Sequence, residues 1–297
     1  MKHAFDFTDR CVWITGASSG IGAALAELLS NVGAGTLILS GRSRERLENT
    51  AERCRRLSRQ RYDREHDRHT HHYAHDGTRD GAIDVSLEVL PFDVADPEQR
   101  IRAVQLLQER DLIPDVLINN AGVSQRGLAT DTGLSVDRDI MEIDYFAAVD
   151  LTKAVLPAMV DRGDGLIVAV SSVAGLIPAP LRSGYNAAKS AQIAFFRTLG
   201  NEVARSGVRV CTVIPGFVRT GISENALNGS GSAWGRMDPN QAGGITPERA
   251  AREILRGIRR GGAVVWTGIP PRLRLALFLR RFAPGILDRI LQKAEVT

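Results

Sequence analysis

Tyr185 and Lys189 stand four residues apart in Gly184-Tyr185-Asn186-Ala187-Ala188-Lys189, the spacing that sets two side chains on one face of a helix. A phenol ordinarily ionises near pH 10 and is a weak base at neutrality, but an ammonium beside it favours the phenolate. A phenol so assisted can give or take a proton at a substrate oxygen. Ser172 lies thirteen residues before the tyrosine, where an apolar run ends in Ser171-Ser172. Its hydroxyl could hold that same oxygen and stabilise charge on it. Taken alone, a Tyr and a Lys at this spacing are also ordinary surface neighbours, so their meaning depends on what positions them.

Seven short apolar runs, at 12–15, 36–40, 85–92, 116–118, 166–170, 208–214 and 263–266, read as strands. They are continuous rather than alternating, as in sheets covered on both faces. Between most of them lie segments of 3.6-residue period, at 21–32, 101–112, 136–160 and 187–205, which read as helices. Repeated strand–helix–strand units imply a doubly wound parallel sheet. Residues 55–84 break the rhythm: rich in Arg, Asp and His, they read as a surface insertion without periodic structure. Five histidines fall there (His66, His69, His71, His72, His75), and either a metal-binding tract or a solvated basic loop fits that composition. The Gly/Ser/Asn-rich stretch 225–244 suits a lid over a substrate or a plain linker. Residues 1–268 form the expected catalytic domain. Residues 269–297, rich in Leu and Arg and broken at Pro284-Gly285, form an amphipathic helical extension lying on the fold, a partner subunit or a membrane surface.

Ligands of open parallel sheets bind beyond the carboxyl ends of the strands. The first strand runs into Thr15-Gly16-Ala17-Ser18-Ser19-Gly20-Ile21-Gly22 and a helix, a turn whose backbone N–H groups can approach a pyrophosphate. The second ends Ser40-Gly41-Arg42-Ser43. A carboxylate there would favour the ribose 2′-hydroxyl of NAD; an arginine instead suits a 2′-phosphate, although Arg44 and Arg46 make a plain surface arginine the competing reading. Asp93, at the end of the third strand, could accept from an adenine amino group or cap the helix that starts near Asp96-Pro97. Asn119-Asn120-Ala121-Gly122 ends the fourth strand, and Pro215-Gly216-Phe217-Val218-Arg219-Thr220 the sixth.

The 43% apolar and 24% charged content fits a chain of 297 residues with a full core. The net charge of +4 is clustered at 42–68 and 249–281, a solvated surface rather than a nucleic-acid footprint. Cys11, Cys54 and Cys211 have no paired spacing, which points to a reducing, cytoplasmic setting. No signal-peptide pattern opens the sequence, and no run reaches the roughly 20 apolar residues needed to span a bilayer.

These motifs, all in family order between about Cys11 and Trp266, resemble the short-chain dehydrogenase/reductase (SDR) family, in its NADP(H)-preferring form. The resemblance implies a single Rossmann-type domain with a seven-stranded parallel sheet. It implies an enzyme that moves a hydride between NADP(H) and a carbonyl or alcohol, with Tyr185 as general acid/base. Lys189 would bind the nicotinamide ribose and assist Tyr185, and Ser172 would orient the substrate. Gly16, Ser18, Ser19, Gly20, Ile21 and Gly22 would hold the pyrophosphate, and Arg42 and Ser43 the 2′-phosphate. Asp93 and Val94 would contact adenine. Asn119, Ala121 and Gly122 would line the cofactor, and Pro215, Gly216, Val218 and Thr220 its nicotinamide end. No metal is implied. Family members commonly associate through the long helices, here near 135–160 and 185–205, so a homodimer or homotetramer is expected.

One position departs from the family. Asp144, in Met141-Glu142-Ile143-Asp144-Tyr145-Phe146, stands where members carry an asparagine supporting a water that relays protons to the lysine. That asparagine acts partly through its backbone carbonyl, which any residue supplies, but a carboxylate near Lys189 would offset part of the field acting on Tyr185. Asp144 is also the sequence feature that favours an alternative, a non-catalytic NADP(H) sensor or scaffold of the same fold. The substrate pocket, built near 124–128, 174–182 and 221–244, mixes small and apolar residues and suits an apolar carbonyl compound.

Overall fold

The computed structural model describes residues 4–69 and 85–293, with 64–69 placed by backbone alone. The strands in chain order are β1 (Cys11–Thr15), β2 (Thr36–Gly41), β3 (Ser86–Pro91), β4 (Val116–Asn119), β5 (Gln125–Arg126), β6 (Gly165–Val170), β7 (Val208–Pro215), β8 (Leu227–Asn228) and β9 (Val264–Thr267). Seven of them form one parallel sheet in the order β3-β2-β1-β4-β6-β7-β9, a Rossmann-type arrangement. Chain direction across the sheet reverses between β1 and β4, and the crevice at such a switch point is where ligands of this architecture bind. β5 and β8 pair only with each other.

Alternating side chains of each buried strand point to opposite faces. Val12 and Ile14 of β1, with Leu37 and Leu39 of β2, meet α1 (Gly20–Val32), α2 (Arg44–His69) and α8 (Pro247–Arg259). Trp13, Ile38, Leu117 and Ile167 meet α3 (Pro97–Glu109), α5 (Ala147–Arg162) and α6 (Ser183–Glu202). The one polar atom of Trp13 is satisfied inside the core, its indole N–H donating to the Ser40 hydroxyl at 2.8 Å.

Two expectations need correction. Residues 55–69 are not an irregular insertion but the continuation of α2. The helix hides its period because its inward stripe is partly small and polar: Leu47, Ala51, Cys54 and Ser58 are buried at i, i+4, i+7 and i+11. The five histidines, weighed as a solvated basic loop or a metal-binding tract, fall on the undescribed side chains and residues of 64–84. The pattern at 136–160, read as one regular helix, is instead α4 (Leu134–Met141), a π-helical turn Glu142–Phe146, and α5. Wide turns of this kind recur at functional sites, and this one carries Asp144.

Residues 225–244 are held in place. β8 pairs with β5, the short α7 (Pro239–Ala242) follows, and Gln241 donates to the Val218 carbonyl at 2.7 Å. The C-terminal extension forms α9 (Pro271–Phe282) and α10 (Pro284–Lys293). No helix among the described residues is long and apolar enough to cross a membrane.

Candidate active site

The turn after β1 is built for close approach. Gly16 has φ +66°, and a Cβ there would meet the Asn120 side chain at 2.9 Å and the Ala121 Cα at 3.0 Å, so only glycine fits without strain. Thr15 Oγ accepts the N–H groups of Asn120 at 3.0 Å and Ala121 at 3.1 Å, and the Asn120 amide donates back to the Thr15 and Gly16 carbonyls. These bonds fasten the β1 turn to the β4 end across the switch point. Helix α1 then begins without a side-chain cap from Ser19 and without an acidic residue in its first turn. Its first amides and the positive end of its dipole therefore fit a phosphate group. Gly20 faces Thr220, whose methyl would lie 3.1 Å from an added Cβ, so the sixth expected strand end reaches over the glycine turn. Ile21 packs partly into the core and Gly22 is buried beneath Gly16.

At the end of β2, Ser18 approaches Gly41, its Oγ 3.4 Å from where a Cβ would stand. Arg42 follows, exposed, with no ion pair among the described residues. Ser43 accepts from the Arg46 N–H at 3.3 Å and so closes the first turn of α2. Asp93 Oδ1 accepts from the Ala95 N–H at 3.0 Å; the helix cap considered for it belongs to Asp96, which accepts from Glu98 and Gln99. Val94 is placed by Arg100, a buried guanidinium that donates to the Val94 carbonyl at 2.6 Å and pairs with Glu142 and Asp150 at 2.7 and 2.6 Å.

The Asn119 amide donates to Thr152 Oγ at 2.9 Å, a buried bond that ties β4 to α5. Pro215 ends β7, and Gly216 lets the backbone pass the Gly268 carbonyl, which an added Cβ would meet at 2.3 Å. Val218 bridges to Ile245 and is buried.

Tyr185 and Lys189 do share a face of α6, as their spacing required. The Lys189 Nζ sits 5.8 Å from the Tyr185 ring centroid and donates to the Val170 carbonyl at 3.2 Å. Lys189 is buried, and Tyr185 packs among Val136, Ile140, Ala174 and Ala188. The Tyr185 hydroxyl makes no hydrogen bond to the protein among the described residues. Ser172 begins the turn that brings Ala174 against Tyr185, and its Oγ accepts from the Ala174 N–H at 3.1 Å. Asp144 is fully buried, 3.6 Å from Lys189 Nζ, with Oδ1 accepting from the Val123 N–H at 3.0 Å and Oδ2 unpartnered. Burial pushes its carboxyl up to about 6, against the opposing pull of the Lys189 ammonium and that N–H. Gly122 lies on this pair: a Cβ there would stand 2.5 Å from Asp144 Oδ1 and 3.3 Å from Lys189 Nζ.

Four further residues shape the site; they lie in the segments 124–128, 174–182 and 221–244 expected to build the pocket, but their pairing is not visible in the sequence. Gln125 Oε1 accepts from the N–H groups of Gly184 at 2.8 Å and Tyr185 at 3.2 Å, capping α6 where the tyrosine sits. Next to it Arg126, almost fully buried, pairs with Asp238, which also binds Arg182 at 2.7 Å. Burial, reinforced by the neighbouring Arg182, lowers the Arg126 pKa to about 10, with Asp238 pulling the other way. This clamp fastens the 225–244 segment to β5 and to the start of α6. Its partners are 56 and 112 residues apart, beyond the reach of any local pattern.

Residues 10–77 and 62–230 match the family model described as short chain dehydrogenase. The chain is 39% identical over 292 residues to dehydrogenase/reductase SDR family member 7B of Danio rerio, covering 98% of this chain and 87% of that protein. The solved structure of a short-chain dehydrogenase from Sphingobium yanoikuyae in complex with NADPH superposes with a TM-score of 0.69 at 27% identity, covering 96% of this chain and 98% of that one. A short chain dehydrogenase/reductase from Burkholderia phymatum in complex with NAD gives 0.75 at 21% identity over 99% and 98%, a likeness of fold. Motif order, sheet topology and kinship agree, and the chain belongs to the short-chain dehydrogenase/reductase family of oxidoreductases.

Proposed function

We propose that this protein is an NADP(H)-dependent oxidoreductase that interconverts a carbonyl and an alcohol, with Tyr185 as general acid/base. The observation that carries the reading is the Tyr185 hydroxyl. It is held on a capped helix beside a buried ammonium, yet makes no protein hydrogen bond. A bound dinucleotide would supply or accept the hydride. In the reductive direction Tyr185 donates its proton to the substrate oxygen, and Ser172 holds that oxygen as charge develops on it. Lys189 stabilises the resulting phenolate and would also meet a ribose hydroxyl of the dinucleotide. Asp144 sits in contact with Lys189 and moderates its field.

Arg42 supports NADP(H) over NAD(H), because a guanidinium at the end of β2 complements a 2′-phosphate. The uncapped start of α1 and the Gly16 turn support the pyrophosphate, with Asp93 and Val94 on the adenine side. The wall around Tyr185, from Val123, Val136, Ile140, Ala174 and Leu227, supports an apolar carbonyl substrate. Leu134, Phe146 and Val160 are exposed along α4 to α5 and support a homodimer or homotetramer through that face. The three cysteines are unpaired, with thiols pushed up to about 12 by burial, and suit a reducing compartment such as the cytoplasm. The test is NADPH oxidation against a panel of ketones and aldehydes, with NADH in parallel. The reading expects turnover of an apolar member with NADPH preferred, and no turnover across a broad panel would overturn it.

A further inference from the structure

Helices α9 and α10 have two unlike faces. Leu273, Ala276, Leu277 and Leu291 turn inward onto Val173, Ile177 and Ile214. Leu275, Phe278, Phe282, Ile286 and Ile290 turn outward and are 58%, 57%, 69%, 52% and 51% exposed. In α9 the outward residues recur at i, i+3 and i+7, and in α10 at i and i+4, the stripes of amphipathic helices with a second apolar side. The Phe278 and Phe282 rings lie together, their centroids 4.8 Å apart. Exposed apolar stripes of this kind mark an interaction surface.

The charge on the same two helices says what the surface meets. Arg272, Arg274, Arg280, Arg281, Arg289 and Lys293 face a single acidic residue, Asp288. Among the described residues none of the six cations pairs with a carboxylate. A cavity of about 660 Å³ opens beside α9, with Arg272 and Arg274 on its wall next to the Arg249–Glu253 ion pair, Trp266 and Leu277. A second copy of the chain docked by two-fold symmetry would set this cationic face against itself. An anionic lipid surface complements it in both respects, with acyl chains for the apolar stripes and phosphates for the arginines. The helices, of 12 and 10 residues, are far shorter than the roughly 20 needed to span a bilayer, so they can only lie in its surface.

We infer that α9 and α10 dock this protein on anionic lipid bilayers. Leu275, Phe278, Phe282, Ile286 and Ile290 enter the acyl boundary, and the arginines sit at headgroup level. Because the inward stripe packs on the turn that follows Ser172, docking would also set the substrate side against the lipid. That consequence rests on the catalytic reading; docking itself does not.

Vesicle flotation of the full chain tests the inference, using phosphatidylcholine alone and phosphatidylcholine mixed with phosphatidylserine, with sedimentation velocity run alongside. The expected result is binding to the mixed vesicles that weakens with salt. Arg280→Ala/Arg281→Ala should lower the affinity by about 5-fold for each charge removed. Phe278→Ser/Phe282→Ser should lower it by on the order of 10-fold or more. Solution mass and unfolding temperature should stay unchanged in both, since the altered side chains are exposed. Absence of binding to either vesicle, equal binding to both, or undiminished binding by Phe278→Ser/Phe282→Ser would overturn the inference. A fall in solution mass in that variant would equally do so, by marking the face as a contact between copies of the chain.

Discussion

Replacing Asp144 by asparagine removes one charge from the floor of the site while keeping the side chain's shape. The carboxylate lies 3.6 Å from Lys189 Nζ, which is 5.8 Å from the Tyr185 ring centroid. With its carboxyl pushed up to about 6 by burial, Asp144 is ionised above that pH, where alcohol oxidation is measured. It then sets a negative charge within about 9 Å of the phenol ring, and at an effective dielectric constant of about 20 the phenolate is disfavoured by about 1.8 kcal/mol. At a fixed pH that difference corresponds to roughly 20-fold in rate. Asp144→Asn lifts this repulsion, so kcat/KM for oxidation should rise by on the order of 10-fold at a pH on its rising limb, and the limb should move to lower pH. Below about pH 6 the native carboxyl takes up its proton and the two profiles should converge. The folded value is raised from the ordinary 3.8 to about 6, so the native protein also loses stability as the pH climbs between those two values, and the variant escapes that loss. The assay is initial rates on one alcohol from about pH 5 to about 10, with thermal unfolding followed from about pH 4 to about 8. A limb that stays in place, or moves to higher pH, refutes the reasoning.

Arg42→Ala should remove about 2 kcal/mol of charge-assisted bonding. That is roughly a 30-fold loss of kcat/KM with NADPH, with NADH kinetics nearly unchanged, and paired steady-state assays check it. Asp238→Ala leaves the Arg126 and Arg182 guanidiniums without their shared carboxylate, which should destabilise the fold by about 3 kcal/mol or more and raise the substrate KM. Denaturant unfolding and kinetics measure the two effects. Gly122→Ala puts a methyl 2.5 Å from Asp144 Oδ1, so the Asp144–Lys189 pair must shift. kcat should fall by on the order of 10-fold or more while the circular dichroism spectrum keeps its native shape.

The sheet was legible because buried parallel strands are continuous apolar runs, and because glycine and small polar residues punctuate their ends. Tyr185 and Lys189 were legible for a simpler reason: four residues of helix put them on one face. Three features were hidden, each by a physical cause. The inward stripe of α2 uses Ala51, Cys54 and Ser58, so no hydrophobic period announces a helix amid so many charges. The π turn around Asp144 leaves the helical composition unchanged and alters only the backbone register. The Arg126–Asp238–Arg182 clamp joins three distant segments, and a carboxylate in a Gly/Ser/Asn-rich stretch looks like loop chemistry until its partners are seen.

The central claim is that the Tyr185 hydroxyl, beside the Lys189 ammonium, moves the proton at the substrate oxygen. Tyr185→Phe deletes that one oxygen from a ring already packed by Val136, Ile140 and Ala188, leaving the fold and the glycine turn in place. Turnover of an accepted ketone with NADPH should vanish while NADPH still binds with nearly native affinity by fluorescence titration. Native turnover in the Tyr185→Phe protein would contradict the account.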